Sequence, residues 1–258
     1  MISPLRVWVV AVNTVRAAIR NKLLYTLLFF AIALIATGVL VSTLSYVERE
    51  RILQDVGLSA IRIFGAGIAI FVGVGLIHGE VERRTIYTIL SKPVSRSEFL
   101  VGKYVGLVLT MWLQLAIMTV AFCAVSLLYG APITAAHLAA LLLVAFELVV
   151  LVAVATLFSA FTTPMLASLF TVGIWLVGHS TRNLRLLGEQ ADVEGVRFAT
   201  ALLHRVLPDL SSFDLVVAAV HGLPIAAAQV IWPMLYGVFY AALLLFLAAL
   251  VFERRDFR

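Results

Sequence analysis

Charge is what this chain of 258 residues has least of: 13% of it is Asp, Glu, Lys or Arg, and 63% is hydrophobic. A soluble globular domain carries about 25% charged and about 45–50% apolar residues, so the composition excludes a solvated globule and indicates an integral membrane protein. Cysteine is also nearly missing. Cys123 stands alone inside an apolar run, which excludes an intrachain disulfide and any cysteine metal cluster. Catalytic signatures are absent as well: there is no H-E-x-x-H zinc motif and no G-x-S-x-G elbow. Gly102-Lys103 is the nearest approach to a phosphate loop, but Ser97 stands where its first glycine belongs and Tyr104 replaces the Ser or Thr that would hold magnesium. No enzyme activity, metal or cofactor is therefore expected in this chain. His78 beside Glu80 reads as an interfacial histidine. A pI near 9.7 could suggest nucleic acid, yet the lysines and arginines flank apolar segments, which is the positive-inside pattern of membrane proteins.

What the sequence has in quantity is long apolar runs. Several exceed the roughly 20 residues that cross a bilayer, so helices are the expected spanning elements. Leu5 to Lys22 comes first. Wound as a helix it gathers Arg6, Asn13, Arg16 and Arg20 into a sector of roughly 80°, which predicts an amphipathic helix lying at the membrane interface with its arginines toward lipid headgroups. Spans are then expected at about 23–46, 59–78, 102–129, 137–159, 164–180 and 233–252. The charge-free stretch from Tyr104 to Phe146 would exceed about 60 Å as one helix and must fold back, with Tyr129-Gly130-Ala131-Pro132 as the turn. Pro164 suits a helix start. The excursion 181–231 is expected to be an extracytoplasmic cap followed, at 215–231, by a re-entrant or interfacial element interrupted at Gly222-Leu223-Pro224 and Trp232-Pro233. The fold class is thus an all-α integral membrane protein, a single domain over 1–258, with six transmembrane helices and both termini cytoplasmic. That topology puts 12 of the 19 Lys and Arg inside.

Three features invite a functional reading. Gly65, Ala69 and Gly73 recur every four residues, with Gly67 and Gly75 on a neighbouring stripe, predicting a helix face that can approach another helix closely. Arg62, near the outer end of the same span, is expected to snorkel outward. Glu147 lies mid-span, where a carboxylate costs roughly 2.5–3.5 kcal/mol. Depth counting from opposite faces predicts that it meets Gln114 across adjacent antiparallel helices, or else faces a translocation path or a subunit interface.

The third feature is the stretch His78 to Lys103, in which nine ionisable residues separate two apolar runs. Glu80 and Glu82 precede Arg83 and Arg84. Thr85, Ile86, Ile89 and Leu90 make a short amphipathic turn, Pro93 stops it, and Arg96 leads into the next span. Charges of both signs around an apolar ridge predict a cytoplasmic docking surface for a partner.

Glu80 to Lys103, E-x-E-R-R-T-I-x-x-I-L-S-K-P-V-S-R-x-E-F-L-x-G-K, resembles the segment after the second span in permeases of the ABC-2 family, the membrane subunits of one class of ATP-binding-cassette transporters. The six-span layout, basic N-terminal helix and basic tail are similar too. One departure is Arg84, where many members carry glycine. The resemblance implies that the docking segment is a coupling helix, over 79–101, seated on a separate cytoplasmic ATPase. It also implies two such ATPases per complex, with ATP and magnesium bound there, and a second permease copy or paralogue. Membrane lipids and an extracytoplasmic accessory protein are further expected partners. The implied function is a permease, usually exporting, in the inner membrane of a prokaryote. A proton-coupled secondary transporter working through Glu147 and a non-transporting membrane scaffold are the alternatives.

Overall fold

Apolar segments of this length satisfy their backbone N–H and C=O groups within lipid by closing into helices. The computed structural model describes residues 3–44, 48–82, 95–181 and 207–254, with 195, 197 and 200, and no strand occurs among them. Its helices are α1 (Pro4–Ile19), α2 (Lys22–Ser42), α3 (Arg49–Glu82), α4 (Arg96–Leu128), α5 (Ala135–Phe161), α6 (Pro164–His179), α7 (Val216–Val220) and α8 (Ala227–Arg254). Five of them, α2, α3, α4, α5 and α8, are long and apolar enough to cross a membrane. At 16 residues, α6 extends about 24 Å and falls short of a hydrocarbon core about 30 Å thick.

The bundle is organised around α5, which is buried along most of its length, from Ala140 to Ala160. Helices α3 and α8 pack on it most extensively, α4 and α6 less so, while α2 lies outside against α3 and α1 lies against α4. Two side-chain bonds fasten α4 to the α5 backbone: Tyr104 Oη donates to the Val149 carbonyl at 3.1 Å, and Trp112 Nε1–H donates to the Ala145 carbonyl at 3.2 Å.

Helix α1 is a separate element, divided from α2 by Asn21, whose side chain caps α2 by accepting the Leu23 N–H. Its arginine stripe is exposed, but the face it covers is made of small residues, Ala11, Thr14 and Ala18. These sit on Gly102 and Gly106 of α4. A Cβ at Gly106 would lie 2.6 Å from the Ala11 carbonyl oxygen, and one at Gly102 would lie 2.9 Å from that of Val7, so only glycine permits this approach.

Several boundaries differ from the sequence expectation. The polar stretch before residue 59 forms the first turns of α3, so that helix runs about 51 Å and carries its charges beyond the apolar part. Helix α4 starts at Arg96 because Ser95 and Glu98 form a capping box. The expected break at Trp232-Pro233 does not occur: α8 runs continuously from Ala227 with Pro233 inside it. Gln229 Oε1 accepts the Ala226 N–H at 3.0 Å and fixes that start. Proline this close to a helix start removes a single intrahelical bond, to Gln229 C=O. The element expected over 215–231 accordingly divides, into α7, a turn at Gly222 with φ +63°, and the opening of α8.

Candidate functional site: a buried ion network between α3, α5 and α6

Glu147 is completely buried in the middle of α5. An ion there requires partners of opposite charge or hydrogen-bond donors, and two neighbouring helices supply them. Trp175 of α6 donates its indole N–H to Glu147 Oε1 at 3.0 Å. His179, one turn further along α6, brings Nε2 to 3.3 Å from the same oxygen. From α3, Arg62 places Nε 3.6 Å from Glu147 Oε2. The arginine reaches further partners: Nε–H donates to His179 Nε2 at 3.1 Å, and Nη1 meets Asp214 Oδ2 at 2.6 Å.

This arrangement assigns the histidine protons. His179 Nδ1 lies 2.9 Å from the Trp175 carbonyl, which can only accept, so Nδ1 carries a hydrogen. Nε2 then stands between a donor and an acceptor: bare, it accepts from Arg62, and protonated, it donates to Glu147. The network contains two carboxylates and one guanidinium, with an imidazole between them that can take either role.

Asp214 ties the network to the segment before α8. Its Oδ1 accepts the Val216 N–H at 3.1 Å, anchoring the start of α7. A few residues earlier, Asp209 Oδ1 accepts from Thr181 Oγ1 at 2.7 Å and from Ser211 Oγ at 2.6 Å. The Asp209 N–H donates to Tyr236 Oη of α8 at 3.0 Å. Leu210 closes against Gly178 of α6, donating its N–H to the Gly178 carbonyl at 3.0 Å. Residues 207–220 are thus clipped to the bundle by two aspartates, one held by Arg62 and the other by Thr181. Beside the network a cavity of about 330 Å³ opens between α3 and α6, lined by Ser59, Arg62, Ile63, Trp175, Leu176, His179 and Ser180.

Two sequence expectations are corrected here. Glu147 does not pair with Gln114: the buried Gln114 Oε1 has no hydrogen-bond partner among the described residues, and Glu147 turns toward α3 and α6. Equal depth in two successive helices does not make neighbours when a third helix takes the facing surface. Arg62 does not snorkel outward either. Its side chain is 16% exposed and points inward, because two carboxylates and a histidine inside the bundle offer what headgroups would have offered outside.

The glycine stripe of α3 is only partly a packing face. A Cβ at Gly65 would meet Leu148 at 3.5 Å and one at Gly73 would meet Ala155 at 3.9 Å, both ordinary contacts, whereas Gly67 and Gly75 have nothing within 4 Å. The close approaches at Gly102 and Gly106 went unread in the sequence, although G-x-x-x-G is there to see. Of the docking segment, Glu80 and Glu82 end α3 and Arg96 begins α4; their side chains, and Arg83, Arg84, Thr85, Ile86, Ile89, Leu90 and Pro93, lie outside the described residues. Where that segment rejoins the bundle, Glu98 is buried. Its Oε2 accepts the Ser95 N–H at 2.8 Å, and its Oε1 accepts the Ser3 N–H of the N-terminal segment at 2.7 Å. Arg6 Nη1 stands 3.7 Å away.

The family model described as ABC-2 family transporter protein matches residues 8–257. No curated protein matches the chain.

Proposed function

The chain belongs to the ABC-2 transporter family, and from that premise we propose that it is the permease subunit of an ATP-binding-cassette transporter, driven by a separate ATPase. The observation that carries the reading is the family match over nearly the whole chain, on a protein with five helices able to cross a membrane. Membership implies association with an ABC ATPase, the membrane subunit not being the ATPase itself.

The finer reading follows from the residues. The segment from Glu80 to Arg96 is the coupling element: Ile86, Ile89 and Leu90 enter a groove on the ATPase, and Glu80, Glu82, Arg83, Arg84 and Arg96 set orientation and register. Thr85 opens the apolar turn and Pro93 ends it. Two ATPases that bind ATP and magnesium close on two such elements, and the permease works as a dimer with a second copy or a paralogue. Both termini face the cytoplasm, α6 is the short fifth of six spans, and the complex exports across the inner membrane of a prokaryote. Buried Glu98 supports a mechanical role for the N-terminal helix. It accepts hydrogen bonds from the exit of the coupling segment and from Ser3 together, so movement of the segment is passed to α1 as well as α4.

Affinity purification of the tagged chain in mild detergent tests this directly. An ABC ATPase should co-purify, and the double reversal Arg83→Glu/Arg84→Glu should release it. Recovery of no ATPase, or retention by the double variant, would contradict the reading. Loss of transport in Glu147→Gln with ATPase turnover preserved would favour the proton-coupled alternative.

A further inference from the structure

We propose that the cavity between α3 and α6 binds an anionic amphiphile whose headgroup takes the place of Asp214 on the Arg62 guanidinium. Arg62 lines this cavity, and a guanidinium offers five N–H donors in a planar fork suited to phosphate and carboxylate oxygens. Its two carboxylate partners are not equivalent. Glu147 is fully buried, whereas the Asp214 side chain is 33% exposed, so Asp214 can withdraw to water. An incoming anion that replaces it one for one leaves the charge around Arg62 unchanged, which avoids the cost of adding a net charge to a poorly solvated site. Beside Arg62, Ser59, His179 and Ser180 are the polar part of the lining, and the rest of it is apolar. Trp175 forms a wall, and Ile63 and Leu176, 53% and 55% exposed, form a rim that faces hydrocarbon in a bilayer. A polar floor under an apolar rim fits a charged headgroup with its tail left in the membrane. The volume of about 330 Å³ suits a headgroup and the first methylenes.

Displacement has a structural consequence. Asp214 also holds the first N–H of α7, so its departure loosens the 207–220 segment at the Arg62 clip while the Asp209 clip stays closed. The site thereby links occupancy to release of one side of that segment. The inference rests on the reading of the chain as a membrane-spanning permease, and its test does not use the ATPase.

The test is binding of dodecyl phosphate, at about pH 5 where it keeps its second proton and carries a single negative charge, to the purified chain in neutral-headgroup nanodiscs. It is read as the change in Trp175 fluorescence, with Trp175→Phe giving the background from Trp8, Trp112 and Trp232. Dodecyl phosphate should saturate the signal. Dodecyl maltoside and dodecyltrimethylammonium should not. Asp214→Asn, which keeps the acceptor for Val216 but removes the competing charge, should tighten binding about tenfold, an ordinary coupling between competing contacts. Arg62→Gln should abolish binding. Equal response to all three headgroups, or unchanged affinity in Asp214→Asn, would overturn the proposal. Inorganic phosphate matching the amphiphile would overturn the assignment of a tail. Each of these failures leaves ATPase recovery by the tagged chain untouched, so the permease reading is judged separately.

Discussion

Two buried glutamates divide this molecule between them. Glu98 sits at the start of α4 and is satisfied by backbone: the N–H groups of Ser95 and Ser3 donate to its two oxygens. Glu147 sits in the middle of α5, where every backbone N–H is already used by the helix, and its partners are side chains from two other helices: Trp175 and His179 meet Oε1, while Oε2 has only the ion-pair contact of Arg62 at 3.6 Å and no hydrogen bond among the described residues. A carboxylate at a helix N-terminus is served by local geometry and the helix dipole. The same group mid-helix in a membrane protein needs a tertiary network, and that network becomes the point through which three helices and the 207–220 segment are joined.

The largest effect should follow from Glu147→Leu. Removing one member of a buried ion pair costs about 3–5 kcal/mol, since Arg62 loses a counter-charge and the Trp175 indole loses its acceptor, and a lowered Tm in nanodiscs would show it. Trp175→Phe deletes a single hydrogen bond to a charged group and should cost about 1.5–3 kcal/mol, with Arg62 and Asp214 still in contact. Gly106→Val acts at the other region: its side chain meets the Ala11 backbone, and overpacking costs about 1–3 kcal/mol. There α1 should lift away, raising thiol labelling at Ala11→Cys while the Arg62 network stays intact. Glu98→Gln cannot accept both backbone N–H groups, and should raise the same labelling with less change in Tm than Glu147→Gln. Gly67→Ala, with open space around its Cβ, should be the smallest change and stabilising, by up to about 1 kcal/mol from helix propensity.

The contrast between the glutamates also marks what could be read without a structure. Ser95-x-x-Glu98 is a capping box visible in one dimension, and it starts α4 where it stands. Gly102 and Gly106 repeat at the spacing of close helix contact, and they carry the α1 seam, whereas Gly65 and Gly73 of α3 make only ordinary contacts with α5. The apolar runs indicate helices because lipid allows little else. The partners of Glu147 are different in kind. Arg62, Trp175, His179 and Asp214 come from three separate stretches of chain, and apart from the one-turn spacing of Trp175 and His179 no spacing relates them. The cue was chemical: an arginine and a glutamate each embedded in an apolar run need each other more than either needs an amide. Helix order misled because α4, though next in sequence, gives α5 less contact than α3 and α8 do. Gln114 therefore reaches the right depth on the wrong side. The segment from 79 to 101 shows a pattern of charge and apolar ridge, and the proposal that it is a coupling element rests on that pattern together with the family match.

A double-mutant cycle on Arg62 and Glu147 tests most directly whether the mid-membrane network is one energetic unit. Arg62→Met, Glu147→Leu and the double variant are compared by unfolding in lipid nanodiscs. Each single variant should be strongly destabilised, and the double should be less destabilised than their sum by at least about 1.5 kcal/mol, within the range found for residues that share a buried network. Strict additivity of the two losses would mean that Arg62 and Glu147 do not depend on each other, and would contradict the account.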